Sequence, residues 1–129
     1  MKYNLNENEK FGAKLTLLQD ILDKKQAALV AVLNICENQE MLHLAPPSDE
    51  RNNFLAETTM EKQRQLDEVA TCDEVFQSVF DTISDEFEQK SGRYSEKIEI
   101  LQAGINEVLQ VGERIRVMEK GTHERSQMQ

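Results

Sequence analysis

The chain has 129 residues, of which 30% are charged and 39% hydrophobic, with 5 Gly, 2 Pro and no Trp. This length fits one domain over residues 1–129, and the composition favours long uninterrupted helices over strands and hairpins. The formal net charge of −9 disfavours nucleic acid and anionic lipid as partners, because both need a surface rich in Lys and Arg.

The first predicted helix covers residues 10–44. Apolar residues recur there at spacings of three and four, which keeps one stripe facing a partner over about seven turns. Lys25 occupies one position of this stripe. The paired prolines Pro46 and Pro47 cannot continue a helix and therefore end it. The apolar positions are Phe11, Leu15, Leu18, Leu22, Leu29, Val32 and Cys36.

The second predicted helix covers residues 58–90. Thr58 and Glu61 have the spacing of a capping box, which marks a helix start. A start near Ser48 is the alternative if Phe54 and Leu55 are also helical. The stripe includes an aspartate, Asp73, and ends before Gly92, which acts as a stop. Its positions are Leu66, Val69, Asp73, Phe76, Phe80, Ile83 and Phe87.

The third predicted helix covers residues 93–119 and is followed by a polar tail, residues 121–129, that we expect to be frayed. Its stripe has the same alternation of spacings, with Gly112 at one position. Short connections favour antiparallel neighbours. The predicted fold class is therefore all-α, an antiparallel bundle of three long helices with coiled-coil-like packing. The stripe positions are Tyr94, Ile98, Leu101, Ile105, Val108, Gly112 and Ile115.

Polar residues interrupt the predicted core at two places. Antiparallel pairing about the proline loop brings Lys25 and Asp73 within about one turn of each other, where they can form an ion pair that sets the register. Lys25 can instead extend its ammonium group to solvent. Gly112 is expected to permit a close helix approach opposite Cys72.

Residues 67–88 contain eight acidic side chains and no Lys or Arg. Four of the acids are seven residues apart and form one line along the second helix. Such a line can face a basic partner or bind metal, but a solvated face is the simpler interpretation. The four residues are Asp67, Glu74, Asp81 and Glu88.

Catalytic, cofactor and metal sites are not predicted. His43 and His123 lie off the stripes, and no Cys/His spacing resembles a zinc site. Cys36 and Cys72 lie in helical patterns and are expected to be small buried hydrophobes in a reducing compartment. The first ten residues are polar and the longest apolar run is much shorter than a membrane span. We therefore expect a cytoplasmic protein that is not an enzyme, with no signal peptide and no membrane segment.

The end of the third helix has an unusually wide apolar surface. Five residues there cover about half the circumference, whereas one buried stripe needs about 100°. This width fits either a loose bundle end or dimer contact, or a groove for an amphipathic helix of a partner. The candidate partner-binding residues are Val108, Leu109, Val111, Ile115 and Met118.

Residues 55–66 (LAETTMEKQRQL) resemble the segment that opens the second helix of FlgN-like flagellar export chaperones. Residues 73–80 (DEVFQSVF) and 109–112 (LQVG) are similar to variants in clostridial-type members of that family. The resemblance implies a small acidic cytoplasmic chaperone without a cofactor. Its later helices would hold an amphipathic helical terminus of a hook-associated or filament-cap protein before type III export.

Two other functions are compatible with the sequence. One is a self-assembling coiled-coil subunit without catalytic activity, in which the stripes pair between chains, and a homodimer is compatible with either interpretation. The other is a carboxylate metalloenzyme, which depends on the acidic line alone. Protein cargo, with no nucleic acid and no membrane span, is the favoured prediction.

Overall fold

The computed structural model describes residues 7–90 and 92–128, of which Glu7, Asn8, Glu88 and residues 122–128 are described by their backbone only. Three long helices make up most of this part: α1 (Glu7–Leu44), α2 (Asp49–Asp81) and α4 (Ser95–Met128). A short 3-10 turn (Ser84–Glu86) and one helical turn, α3 (Phe87–Lys90), connect α2 to α4. No strand occurs in the described residues, and the predicted all-α class with three long helices is confirmed.

Helix α1 lies between the other two long helices. It is antiparallel to α2, as the contacts of Lys25 with Asp73 and of Gln39 with Thr58 show. It is parallel to α4, since the ammonium of Lys97 donates to the hydroxyl of Thr16 at 3.1 Å. α1 packs along both partners, whereas α2 and α4 meet only sparsely over the described residues. The second and third helices are antiparallel as predicted, but the prediction that they are close neighbours is wrong.

The core is supplied mainly by α1. A helix between two neighbours buries a wide arc, and ten apolar residues of α1 are buried accordingly. Among the side chains that the structure describes, α2 buries Cys72 alone, and α4 buries Leu101, Val108 and Ile115. The α1 residues are Phe11, Leu15, Leu18, Ile21, Leu22, Ala28, Leu29, Val32, Leu33 and Cys36.

Helix α2 begins at Asp49, nine residues before the predicted start at Thr58. The hydroxyl of Ser48 accepts a hydrogen bond from the backbone N–H of Arg51 at 3.0 Å and caps the helix, and two acids follow in the first turn. An acceptor and negative charge at this end both stabilise a helix start. The hydroxyl of Thr58 donates instead to the carbonyl of Leu55 inside the helix. The alternative start near Ser48 is the one observed.

The connection between α2 and α4 folds over the N-terminal end of α1. α2 ends at Asp81, before the predicted residue 90, because the chain turns there and buries Ile83 almost completely. Phe87 of α3 then lies 5.5 Å from Phe11 and 5.4 Å from Phe80, measured between ring centroids. Burying these rings offsets the loss of helical hydrogen bonds at the turn. α4 continues to Met128, beyond the predicted end at residue 119, so the backbone of the expected frayed tail is helical up to there.

Candidate partner-binding groove

A depression runs between α2 and α4, with α1 as its floor. We call it the α2–α4 groove. Its cavity volume is about 150 Å³. Because α2 and α4 both pack on α1 and hardly on each other, their facing flanks stay uncovered. The lining residues are Ile21, Leu22, Lys25, Cys72, Asp73, Phe76, Ile105, Val108 and Leu109.

The walls of the groove are mainly apolar and in part open to solvent. Leu109 of α4 is 64% exposed at the rim, although it is a large apolar side chain. Phe76 of α2 and Ile105 of α4 are half-buried against the core. A contiguous apolar surface left uncovered in a monomer marks a site of contact with another molecule more often than an isolated exposed leucine does.

One ion pair lies in the groove. The ammonium of Lys25 donates to the carboxylate of Asp73 at 2.5 Å, and the predicted pairing of these two residues is confirmed. Both interrupt apolar stripes that face each other across the α1–α2 interface, so each neutralises the other where either alone would be an unpaired charge. The pair therefore leaves the middle of the groove without net charge.

Contacts between elements lie beyond the groove in both directions along the bundle. At the end near the proline loop, the ammonium of Lys62 lies 3.4 Å from the carboxylate of Glu119 and joins α2 to α4. Lys62 also donates to the side-chain carbonyl of Gln39, whose amide donates to the hydroxyls of Thr58 and Thr59. At the other end, Phe87 contacts the rings of Phe11 and Phe80.

The five predicted partner-binding residues lie in different environments. Val108 and Ile115 are buried, at 5% and 6% exposure, and belong to the core. Leu109 is about 100° from Val108 on one side of the helix and Val111 about 60° on the other. Leu109 therefore lines the groove, while Val111 and Met118 are half-buried on the opposite flank.

The sequence analysis missed the part of the groove that α2 and α1 supply. Phe76 and Cys72 line it, as does Ile21. The apolar stripe of α2 identified Phe76 as inward-facing, but periodicity does not say whether a third helix covers an inward face.

Gly112 does not make the predicted close approach. A Cβ atom built there would meet nothing within 4 Å. The tight places are Gly12, where a Cβ would lie 3.0 Å from Cε1 of Tyr94, and Gly104, where it would lie 3.4 Å from Leu22.

Cys36 and Cys72 are buried free thiols, as predicted. Burial raises the pKa of both thiols above the ordinary value, because an apolar environment disfavours the thiolate. A protonated thiol is a poor nucleophile and a poor metal ligand. Cys72 contributes to the groove as an apolar wall.

The acidic line faces solvent. Asp67, Glu74 and Asp81 are exposed, and the side chain of Glu88 lies outside the described part. Gln63 and Gln77 donate to Asp67 and Asp81 respectively. Over the described residues no group of three or more His, Cys, Asp or Glu side chains could hold a metal ion. None of the described helices combines the length and hydrophobicity that a transmembrane segment requires.

Comparison with known proteins does not assign a family to this chain. No protein-family model, curated protein or solved structure matches this chain. The geometry of the α2–α4 groove and the resemblance described above are therefore the basis for a functional proposal.

Proposed function

We propose that this chain is an export chaperone that holds an amphipathic helical segment of a flagellar hook-associated or filament-cap protein in the cytoplasm before type III secretion. The observation that carries the proposal is the α2–α4 groove, an apolar depression lined by about one turn of each long helix, with Leu109 exposed at its rim. The resemblance of residues 55–66 to FlgN-like chaperones supports the choice of cargo class.

A helix placed in this groove would convert the three-helix arrangement into a locally four-helical one. Its apolar face would cover Phe76, Ile105 and Leu109, and its polar face would remain in solvent. Covering the apolar face of the cargo prevents premature assembly. Release before secretion requires that the affinity stay moderate, which a small apolar contact provides.

The test is a pull-down from cell extract with this chain as bait and identification of the captured proteins by mass spectrometry. Recovery of a hook-associated or filament-cap protein by the wild-type chain is the expected result. We expect Leu109→Asp to abolish the capture and to leave the helical circular dichroism intact, because this side chain is 64% exposed and a charge there faces the apolar surface of the cargo.

Ile100→Asp is the matched control. Ile100 is 53% exposed on the same helix, and nine residues separate it from Leu109, which places it on the opposite side at about 180°. This variant should capture the cargo as the wild type does. Recovery of the chain alone would favour a self-assembling helical subunit, and equal loss in both variants would remove the groove as the contact.

A further inference from the structure

The α2–α4 groove is short along the bundle. Its lining comes from about one turn of each long helix: residues 21–25 of α1, 72–76 of α2 and 105–109 of α4. This corresponds to about 6 Å at 1.5 Å per residue. Side chains on one face of a helix recur every three or four residues, about 5–6 Å apart. A bound helix can therefore place only one of its side chains in the groove.

The volume of the groove fits a single ring. The cavity measures about 150 Å³, and most of its walls are isoleucine, leucine, valine and phenylalanine side chains. An apolar cavity of about 150 Å³ lined by Leu, Ile and Phe is large enough to take up benzene. The groove therefore has room for the side chain of one phenylalanine.

The packing of α4 is also incomplete next to the groove. Gly112 follows Val108 by about one turn in the inward-facing stripe, and a Cβ atom built there would meet no atom within 4 Å. Protein interiors are otherwise packed closely, and atoms beside a gap lose their dispersion contacts. A side chain from another molecule can restore such contacts at this place.

Two groups in the walls favour an aromatic occupant over an aliphatic one. Phe76 is half-buried and stacks on Phe80 at 6.3 Å between ring centroids, so part of the Phe76 ring stays uncovered. A pair of rings gains more than the burial of its area alone provides. Lys25 supplies an ammonium group, which attracts a ring whose centroid lies within about 6 Å. The chain makes such a contact elsewhere, where Lys90 lies 5.5 Å from the ring centroid of Phe11.

The chemistry of the walls favours an uncharged occupant. Lys25 and Asp73 already form an ion pair. A charged side chain in the groove would have to disrupt this pair or remain without a partner. Phenylalanine has neither a charge nor a polar atom that needs a hydrogen bond.

A second copy of this chain is a poor source of the ring. It could supply Phe54, which is 55% exposed. Each copy carries a formal charge of −9, however, and a net charge far from zero keeps proteins monomeric. We therefore assign the ring to a different protein.

We infer that the α2–α4 groove binds one phenylalanine side chain, which the amphipathic cargo helix inserts as an anchor between Phe76 and Ile105. This inference rests on the proposed function and adds the residue type by which the cargo is held.

The test uses N-acetyl-phenylalaninamide, an uncharged probe with the anchor side chain, and an NMR titration of the isotope-labelled chain. N-acetyl-cyclohexylalaninamide has a saturated ring of similar size, and N-acetyl-alaninamide has no ring. We expect the phenylalanine probe to bind with a Kd on the order of 1 mM and to shift the amide signals of residues 72–76 and 105–109. The saturated probe should bind about threefold more weakly, and the alanine probe should not bind.

A pair of matched variants locates the site. Ile105→Phe places a ring of the chain itself in the groove and should weaken binding of the phenylalanine probe by more than about tenfold. Ile98→Phe is the control, because Ile98 is also half-buried on the stripe of α4, one heptad earlier, and does not line the groove. It should bind the probe as the wild type does.

Cys72→Leu fills the groove from the α2 side and should have the same effect as Ile105→Phe. It provides a second measurement if one of the variants fails to fold, which helical circular dichroism reports.

Three results would overturn the inference. The first is equal binding of the phenylalanine and cyclohexylalanine probes, and the second is equal binding of the phenylalanine probe by wild type and Ile105→Phe. The third is self-association of the wild type that Phe54→Ala abolishes in sedimentation, because a second copy would then supply the ring.

The same variants then serve as bait in the cell extract. We expect wild type and Ile98→Phe to capture a hook-associated or filament-cap protein and Ile105→Phe to fail. Equal capture by all three would leave the proposed function standing and overturn the anchor. If the probe binds as expected but no bait captures such a protein, the proposed function fails and the binding of a phenylalanine ring stands.

Discussion

At the level of single residues, the glycines of this chain show that one residue type has opposite effects in two places. A glycine inside a helix costs stability relative to alanine, because it loses more conformational freedom on folding. At Gly12 the absence of a side chain compensates for this cost, because a Cβ atom there would lie 3.0 Å from Cε1 of Tyr94. At Gly112 nothing compensates for the cost, because a Cβ atom there would meet no atom within 4 Å.

We expect Gly112→Ala to raise the free energy of unfolding by about 0.5–1 kcal/mol through helix propensity alone. Gly12→Ala has the same propensity gain, but the tight contact with Tyr94 opposes it, and we expect no net gain. Urea denaturation of the two variants measures the difference. Equal stabilisation by both would mean that the ring of Tyr94 moves aside without cost.

Lys25 and Asp73 show what the sequence predicts at this scale. Each replaces an apolar residue in a stripe, and the proline loop fixes the antiparallel register, so their pairing follows from position alone. The exposure of Leu109 does not follow in this way. It depends on the distance between two helices that are not joined by a core stripe, and periodicity contains no information on that distance.

Among the long helices, α2 depends most on its N-terminal cap for stability. It has a single fully buried residue, Cys72, and so gains less from burial than α1 does. The hydroxyl of Ser48 satisfies one of the backbone N–H groups that the first turn leaves without a partner. The cap is therefore a larger share of the stability of α2 than it would be for a helix in the core.

We expect Ser48→Ala to lower the free energy of unfolding by about 1 kcal/mol, because the cap is lost. Ser78→Ala is the control, since Ser78 is exposed in the last turn of α2, away from the N-terminal cap, and alanine is the better helix former. The same chemical change should thus destabilise at one position and be neutral or stabilising at the other. Thermal unfolding followed by circular dichroism distinguishes the two. A loss at Ser78 comparable to that at Ser48 would contradict a specific cap.

The presence of each long helix and the face that it buries were predictable from the sequence. The residues at which the helices begin and end, and how closely the helices contact one another, were not. The spacing of three and four identified the core residues of α1 because the helix is buried on a wide arc and tolerates few polar residues. The start of α2 was misplaced because Thr58 and Glu61 have the spacing of a capping box, whereas Ser48 is followed three residues later by Arg51, which that pattern does not include. The sparse contact between α2 and α4, each of which packs mainly on α1, was not predictable, since a short connection permits that arrangement as well as close packing of the two.

For the whole molecule, uneven charge is the dominant property. α1 supplies most of the buried side chains, and five acids of residues 67–81 lie on α2 in a stretch without Lys or Arg. Self-repulsion of this kind disfavours the compact state, and salt relieves it by screening. The stability of the chain should therefore rise as salt is raised.

Glu74→Gln should raise the melting temperature at low salt, because it removes one charge from the acidic segment. Glu61→Gln should lower it, since hydrogen bonds from Arg64 hold the pKa of Glu61 below its usual range and that pairing is lost in the variant. A lowered folded pKa means that the contribution of Glu61 is present above the ordinary value of 4.5 and disappears as the pH falls through the lowered pKa. Both differences should shrink as salt is raised to about 500 mM. Thermal melts of the two variants at low and high salt measure these effects, and a salt-independent gain for Glu74→Gln would show that helix propensity, not charge, causes it.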